Sequence, residues 1–336
     1  MKVLLLGSHL NYNLEHFVYL NLKKLEHDVE FYGYRDRIGR LANPVRMAIS
    51  RSKFLRSMSG PFWFDKINEE IRRLAGELEP DIVLSIKGEV VKPETVEWIR
   101  NKLGAKTALW YPDDPRFFGS LVKYIAHCYD CVFTASEKAV EMYKEMGARD
   151  VRYLPFACEP TVHKKVELSE EERRLCSSDI CFVGTYTAKR AKIAGTLRKA
   201  GLKVRVYGPY WKQIARNDWV RDGIYGVEMV KVFNAAEGVL NVHIEDDLEY
   251  KANMRTFEAT GAGVFLLTDR PYGLERLFSI GKELVCFQDS RELVELAKYY
   301  LEHREERVGI AAEGQKRAYK DHTYEQRVRE ILSCVA

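Results

Sequence analysis

The chain has 336 residues, 46% hydrophobic and 30% charged, a balance that excludes a disordered, collagen-like or small disulfide-framed protein. One hydrophobic core rarely serves such a length, so two domains of about 150 residues each are expected. A net charge of +4, from 53 basic and 49 acidic side chains, is too balanced to mark a nucleic-acid binder, and no nucleic-acid partner is expected.

In chain order, the apolar run KVLLLG closes on Gly7-Ser8 and reads as a buried strand leading to a helix over Leu14–Leu25. Asp28–Tyr32 is a second strand. Further strands are expected at 81–88, 106–112 and 131–136, with helices near 65–78, 93–103 and 137–146. Such alternation forces crossover connections and therefore a parallel sheet. Pro155, Pro160 and the charged run ELSEEERR interrupt the pattern between Leu154 and Ser178, as an interdomain connection does. A second series follows at 179–184, 203–208, 238–244, 263–269 and 283–289. Asp289 with Glu292, and Thr323 with Gln326, have the spacing of capping boxes at the starts of two late helices. The fold expected is α/β: two Rossmann-like domains facing across a cleft, over 1–158 and 159–320, and a helix over 321–336 that is free to return to the first domain.

No stretch approaches the roughly 18 apolar residues of a membrane span, and MKVLLLGSHL turns polar too soon for a secretory signal, so a cytoplasmic location is expected. The seven cysteines are odd in number and scattered, which suits reduced thiols. Cys128 and Cys131 form a lone CxxC beside His127; without a second pair it reads as packing, and no metal site is expected. There is no GxGxxG after a strand and no GxxxxGK[ST], which counts against a dinucleotide oxidoreductase and a P-loop enzyme.

In open parallel sheets the ligand sits beyond the carboxyl ends of the strands, so residues just after strands carry the chemistry. The stretch NMRTFEATGAGVFLLTD, Asn253–Asp269, opens a helix carrying Arg255 and Glu258. A helix N-terminus beside an arginine suits an anion, and a carboxylate one turn further in can accept both hydroxyls of a ribose. The alternative is an exposed ion pair on an amphipathic helix. In the first half, Asp113 and Asp114 follow a strand and precede Pro115; either can serve as general base toward an acceptor hydroxyl, or both can cap a turn. His9 is a second base candidate, and Lys87 and Glu89 are candidate acceptor contacts. Between Arg35 and Arg56 stand seven basic residues and one acid, followed by Phe62, Trp63 and Phe64. That composition suits anionic lipid or an anionic acceptor, with a solvated helix as the alternative reading.

The segment FEATGAG before an apolar strand resembles the donor site of group 1 glycosyltransferases of the GT-B fold. NxRxFEA and the late HTYEQR resemble most the CgeB-type spore maturation family, and the likeness extends to DICFVGTYTAKR, TALWYPDDP and VFTASEKAVEMYKEMGARDVRYLPFA. The resemblance implies a transferase that takes a nucleotide sugar as donor, needs no obligatory cofactor or metal, and acts on an acceptor that is a glycan, lipid or protein. It implies that Glu258 holds the ribose, that Asn253 and Arg255 lie near the diphosphate, that Gly184 admits its phosphates, and that Lys189 or Arg190 neutralises them. Many retaining members carry a glutamate eight positions before the ribose glutamate; Tyr250 stands there, with Asp246, Asp247 and Glu249 nearby. Two other outcomes remain open at this point, a fold-retaining binding or structural protein of surface-layer assembly and a nucleotide-sugar epimerase.

Overall fold

The alternating apolar runs become strands of two all-parallel, six-stranded sheets. In the computed structural model, which describes residues 1–34, 53–115, 122–214, 218–244 and 249–335, the chain divides into two compact units, 1–155 with 325–336 and 156–324. The basic residues 35–52 and the acids Asp246 and Asp247 lie outside the described residues, as do the side chains of 53–63.

The first unit's strands are β1 (Lys2–Leu6), β2 (Asp28–Tyr32), β3 (Ile82–Ile86), β4 (Lys106–Tyr111), β5 (Cys131–Thr134) and β6 (Asp150–Tyr153), in the order β2-β1-β3-β4-β5-β6. Every residue of β3 is buried, as a strand covered by helices on both faces requires. Helix Lys53–Leu78 packs Ile67, Ile71 and Ala75 onto this core, with Phe64 partly buried against it.

The second unit has β7 (Ser178–Val183), β8 (Val204–Tyr207), β9 (Val220–Arg221), β10 (Ala236–Asn241), β11 (Leu266–Asp269) and β12 (Val285–Phe287), in the order β12-β11-β10-β7-β8-β9. Its separate core is built on Phe182, Leu197, Val206, Leu240 and Leu267. Asp289 caps helix Ser290–Glu302 by accepting the N–H groups of Arg291 and Glu292. Glu292 bonds back to the N–H of Gln288, one residue earlier than a capping box demands.

The chain returns to the first unit in its last helix, Tyr324–Val335, where Glu325 pairs with Lys24 at 2.7 Å. Here the expectation of reduced thiols is corrected: Cys334 on that helix is disulfide-bonded to Cys131 on β5, across 203 residues of sequence. Scatter in sequence argued against a bridge framework, but a single bridge needs only spatial proximity, which the returning helix supplies. Cys128, Cys158, Cys176, Cys181 and Cys286 take no part in a disulfide. No helix among the described residues is long and apolar enough to cross a membrane.

Candidate functional site

Sheet order locates the crevices. In the second unit the connection from β7 runs outward through β8 to β9, while β10, β11 and β12 fill the other side, so the direction of winding reverses between β7 and β10. Ligands of doubly wound sheets bind at that switch point. Four elements converge there: the loop Gly184–Thr187 after β7, the start of helix Ala188–Lys199, the end of β10 at Val242 and His243, and the N-terminus of helix Met254–Gly261.

Gly184 sits where the first strand leaves the sheet. Its carbonyl accepts the indole N–H of Trp211 at 2.8 Å, and a Cβ on Gly208 would fall 1.9 Å from that carbonyl oxygen. The close approach of two backbones therefore demands glycine at 208, on the next strand's exit. Arg190 spans the crevice floor, its Nε donating to the Val242 carbonyl at 2.9 Å and its Nη1 to the Thr185 carbonyl at 2.9 Å. Lys189 places Nζ 3.3 Å from the His243 carbonyl and 3.2 Å from Asp269 Oδ2.

Asn253 caps helix Met254–Gly261 by accepting the N–H of Thr256. Its amide is paired both ways with buried Asn241 on β10, at 3.0 and 3.1 Å. The N–H of Asn253 donates to His243 Nε2 at 3.0 Å, and His243 Nδ1 lies 2.6 Å from Asp269 Oδ1. Burial pushes the Asp269 carboxyl up, but hydrogen bonds with His243 and the charge of Lys189 more than offset this and hold it below the usual carboxylate range.

Partly buried Arg255 pairs with buried Glu258 one turn away, Nη1 to Oε2 at 2.5 Å, with Arg255 Nε also donating to the Val183 carbonyl. Glu258 is 2% exposed, and burial raises its pKa against the opposing pull of Arg255. His163 lies on the far side, Nε2 to Glu258 Oε1 at 3.7 Å, with Nδ1 accepting the Glu159 N–H. Burial, aided by the Arg255 charge, lowers the His163 pKa to about 3, so its ring is neutral. The expected donor residues Gly184, Lys189, Arg190, Asn253, Arg255 and Glu258 are thus brought together, although Arg255 is committed to Glu258 rather than left exposed.

Sequence reasoning did not single out Asn241, His243, Asp269 or His163. A signal existed for two of them: Asn241 and His243 are polar residues at i and i+2 ending the apolar run GVLNVHI, one face of a strand's carboxyl end.

In the first unit the switch point lies between β1 and β3. Lys87, at φ +67 just after β3, pairs with Asp113, just after β4, at 2.5 Å. Asp114 points inward: it is fully buried and accepts the Thr134 and Tyr143 hydroxyls at 2.9 and 3.0 Å. The adjacent aspartates therefore do different work, and the geometry of Asp114 is that of a structural anchor. His9 stacks on Phe31 with centroids 4.0 Å apart, and its Nε2 donates to the Phe31 carbonyl at 2.9 Å. A carbonyl only accepts, so in the neutral ring Nδ1 is the basic nitrogen. The ring borders a cavity of about 330 Å³ shared with His16, Tyr19 and Glu30. Glu89 lies in the turn after Gly88, and Tyr250 and Glu249 precede helix Met254–Gly261. Among the described residues the one cluster with metal-ligand spacing is Cys131, Asp150 and Cys334, and its sulfurs are joined to each other.

Two six-stranded parallel sheets in separate units are the architecture of GT-B proteins, and residues 190–333 match the family model described as "Glycosyl transferase-like". The likeness to solved structures shows the fold, which is GT-B. The chain is similar to spore protein CgeB of Bacillus subtilis (strain 168), 23% identical over 280 residues that span 78% of this chain and 85% of the relative. Among solved structures it is similar to Anabaena HepE in complex with UDP-glucose, with a TM-score of 0.66 and 13% identity over 99% of each chain. It is similar also to a glycosyltransferase from Rickettsia africae, with a TM-score of 0.69 and 11% identity over 99% of this chain and 97% of the other.

Proposed function

We propose that the second unit binds a nucleoside diphosphate sugar in the β7/β10 crevice and that the protein transfers its sugar to an acceptor held by the first unit. The observation that carries this reading is the convergence of Lys189, Arg190 and the capped N-terminus of helix Met254–Gly261 on one switch point. A leaving diphosphate gains negative charge in the transition state, and cations already held in place stabilise it there more than in the ground state. Glu258 is the carboxylate assigned to the ribose, with Oε1 as the accepting oxygen because Arg255 occupies Oε2. With Lys189 and Arg190 supplying the positive charge, transfer needs no divalent cation, and chelation by EDTA leaves turnover unchanged. HepE, solved with UDP-glucose, makes UDP the first ligand to try.

On the acceptor side, Asp113 and His9 remain as base candidates; Asp114 has both oxygens engaged by hydroxyls. Lys87 and Glu89 are assigned to acceptor contact. The seven basic residues of 35–56 are assigned, from sequence alone, to an anionic acceptor or lipid surface, which cosedimentation with anionic and neutral vesicles tests.

The deciding experiment is a thermal-shift and titration series with ADP, CDP, GDP and UDP, followed by release of nucleoside diphosphate from the matching sugar donor. A ligand at a hundred times its dissociation constant stabilises the fold by about 2.7 kcal/mol. No shift with any of the four removes the donor reading. Binding without turnover on any sugar donor leaves a binding protein of the same fold.

A further inference from the structure

His243 is fully buried at the carboxyl end of β10, and both ring nitrogens are engaged there. The N–H of Asn253 can only donate, so Nε2 is the accepting nitrogen, and the ring proton of the neutral imidazole sits on Nδ1, where the Asp269 carboxylate accepts it. One tautomer satisfies both bonds. A ring so placed cannot serve an acceptor as general base, since neither nitrogen reaches solvent. What it does instead is set a fixed distance between two parts of the crevice.

On its Nδ1 side, Asp269 also accepts the His243 backbone N–H at 3.0 Å and takes Lys189 Nζ at 3.2 Å. On its Nε2 side, Asn253 begins helix Met254–Gly261. The Asn241–Asn253 amide pair fixes that same cap to β10 from a second point. The imidazole thus spans from the cation at the start of one helix to the N-terminus of another, the two positive elements that converge on the switch point. Binding a diphosphate at both requires their separation to be held within about 0.5 Å.

We propose that His243 is the positioning residue of the donor site, setting Lys189 through Asp269 and the first turn of helix Met254–Gly261 through Asn253 so that a diphosphate meets both at once. This rests on the donor reading above. The spacing, not the charge of the ring, is its contribution, so its effect falls on the diphosphate and not on the nucleoside.

Two amide replacements divide the ring's roles. In His243→Asn the side-chain amide nitrogen stands near the place of Nδ1 and keeps the Asp269 bond. In His243→Gln the amide oxygen stands near the place of Nε2 and keeps the Asn253 bond. Wild type, both variants and His243→Ala are titrated calorimetrically with UDP and with uridine, thermal melts are recorded, and kcat and KM are measured for hydrolysis of UDP-glucose. The expected result is a loss of UDP affinity of about fivefold to tenfold in each amide variant and at least thirtyfold in His243→Ala, with uridine affinity within twofold of wild type throughout. Should His243→Ala not fold, the amide variants carry the comparison. Equal losses for UDP and uridine, unchanged UDP affinity, or failure of all three variants to fold would each overturn the proposal and leave His243 as a core residue. If the wild type binds none of the four nucleoside diphosphates, the donor reading fails first and this proposal falls with it; if it binds UDP and the variants bind equally well, only the role of His243 is lost.

Discussion

Among the described residues, the switch point of the second unit carries a linked set of hydrogen bonds, whereas the strand ends of the first carry the partly exposed Lys87–Asp113 ion pair and, beside β2, a cavity. At β7/β10, Lys189, Asp269, His243, Asn253 and Asn241 form one continuous chain of hydrogen bonds, and Arg255 pairs with buried Glu258 on helix Met254–Gly261 itself. In the first unit, the Lys87–Asp113 pair after β3 and β4 is 22% and 33% exposed, and the cavity beside His9, on the β2 side of β1, is lined by aromatic rings and a glutamate. Buried, fully partnered polar networks have one arrangement, because any other leaves a group without its bond. The difference suits a site preorganised for a diphosphate in one unit and a site adaptable to its ligand in the other.

The sharpest way to break this contrast is to remove one buried carboxylate from each unit. Glu258→Ala leaves the partly buried Arg255 guanidinium without its counter-charge, and the expected cost in stability is about 3 kcal/mol, the low end for a buried pair. Asp114→Ala leaves the Thr134 and Tyr143 hydroxyls without their acceptor, for about 1–3 kcal/mol. Denaturant unfolding of both variants measures the difference. Should Asp114→Ala prove the more damaging, the first unit has the more tightly determined mouth and the contrast is reversed.

Next in size is the effect on turnover. Lys189→Ala and Arg190→Ala each remove a cation from the place where the departing phosphate gains charge, and a fall in kcat on the order of 10² is expected. Arginine at 189 and lysine at 190 rescue in part, since ammonium and guanidinium differ in reach and in the number of bonds they make. Asp113→Asn in the first unit should cost turnover less than either. Steady-state kinetics on a responsive sugar donor decides this, and equal turnover in wild type and both alanine variants would place the phosphates elsewhere.

How much of this was legible beforehand follows from how local each signal is. β1 announced itself as the apolar run VLLL and β3 as IVLSI, broken only by Ser85, and the Asp289 cap by its spacing. β6 and β9 did not: DVRY buries one residue fully and VR is two residues long, so neither has a period to read. The donor residues on one helix, Asn253, Arg255 and Glu258, were visible because they share a segment. His243 and Asp269 were not, because their partnership joins the ends of two strands 26 residues apart, and only the parallel register brings those ends together. The Cys131–Cys334 bridge was hidden for the same reason at greater distance.

A smaller, pH-dependent effect comes from the buried His163 of the second unit. His163 has its pKa lowered from 6.5 to about 3 by burial and the Arg255 charge. Above pH 6.5 the ring is neutral folded or unfolded, so it contributes no pH dependence there. Between pH 6.5 and 3 the unfolded chain takes up a proton that the folded chain refuses, so stability falls as pH falls. At 1.36 kcal/mol per unit, the loss by pH 5 is about 2 kcal/mol. Glu258, raised by burial, acts in the opposite sense at lower pH because the folded state binds its proton first. Unfolding of wild type and His163→Gln at pH 7 and pH 5 should show the wild type losing about 2 kcal/mol more than the variant. Parallel losses would mean that the ring is charged or solvated in the fold.

The smallest effect tests the open side of the comparison. Lys87 and Asp113 meet at 2.5 Å, yet both remain partly solvated, and pairs of this kind contribute about 0–1 kcal/mol to stability. A double-mutant cycle with Lys87→Ala and Asp113→Ala should therefore return a coupling below about 1 kcal/mol in unfolding experiments. If the pair instead holds the acceptor, the same single variants raise the acceptor KM while leaving the affinity for UDP as in wild type, because the donor chain of bonds lies wholly in the other unit. A large coupling in stability would mean that the pair is structural and that the first unit's mouth is built as rigidly as the second's. Unchanged stability together with unchanged acceptor KM would move the acceptor away from β3 and β4, toward the cavity beside His9.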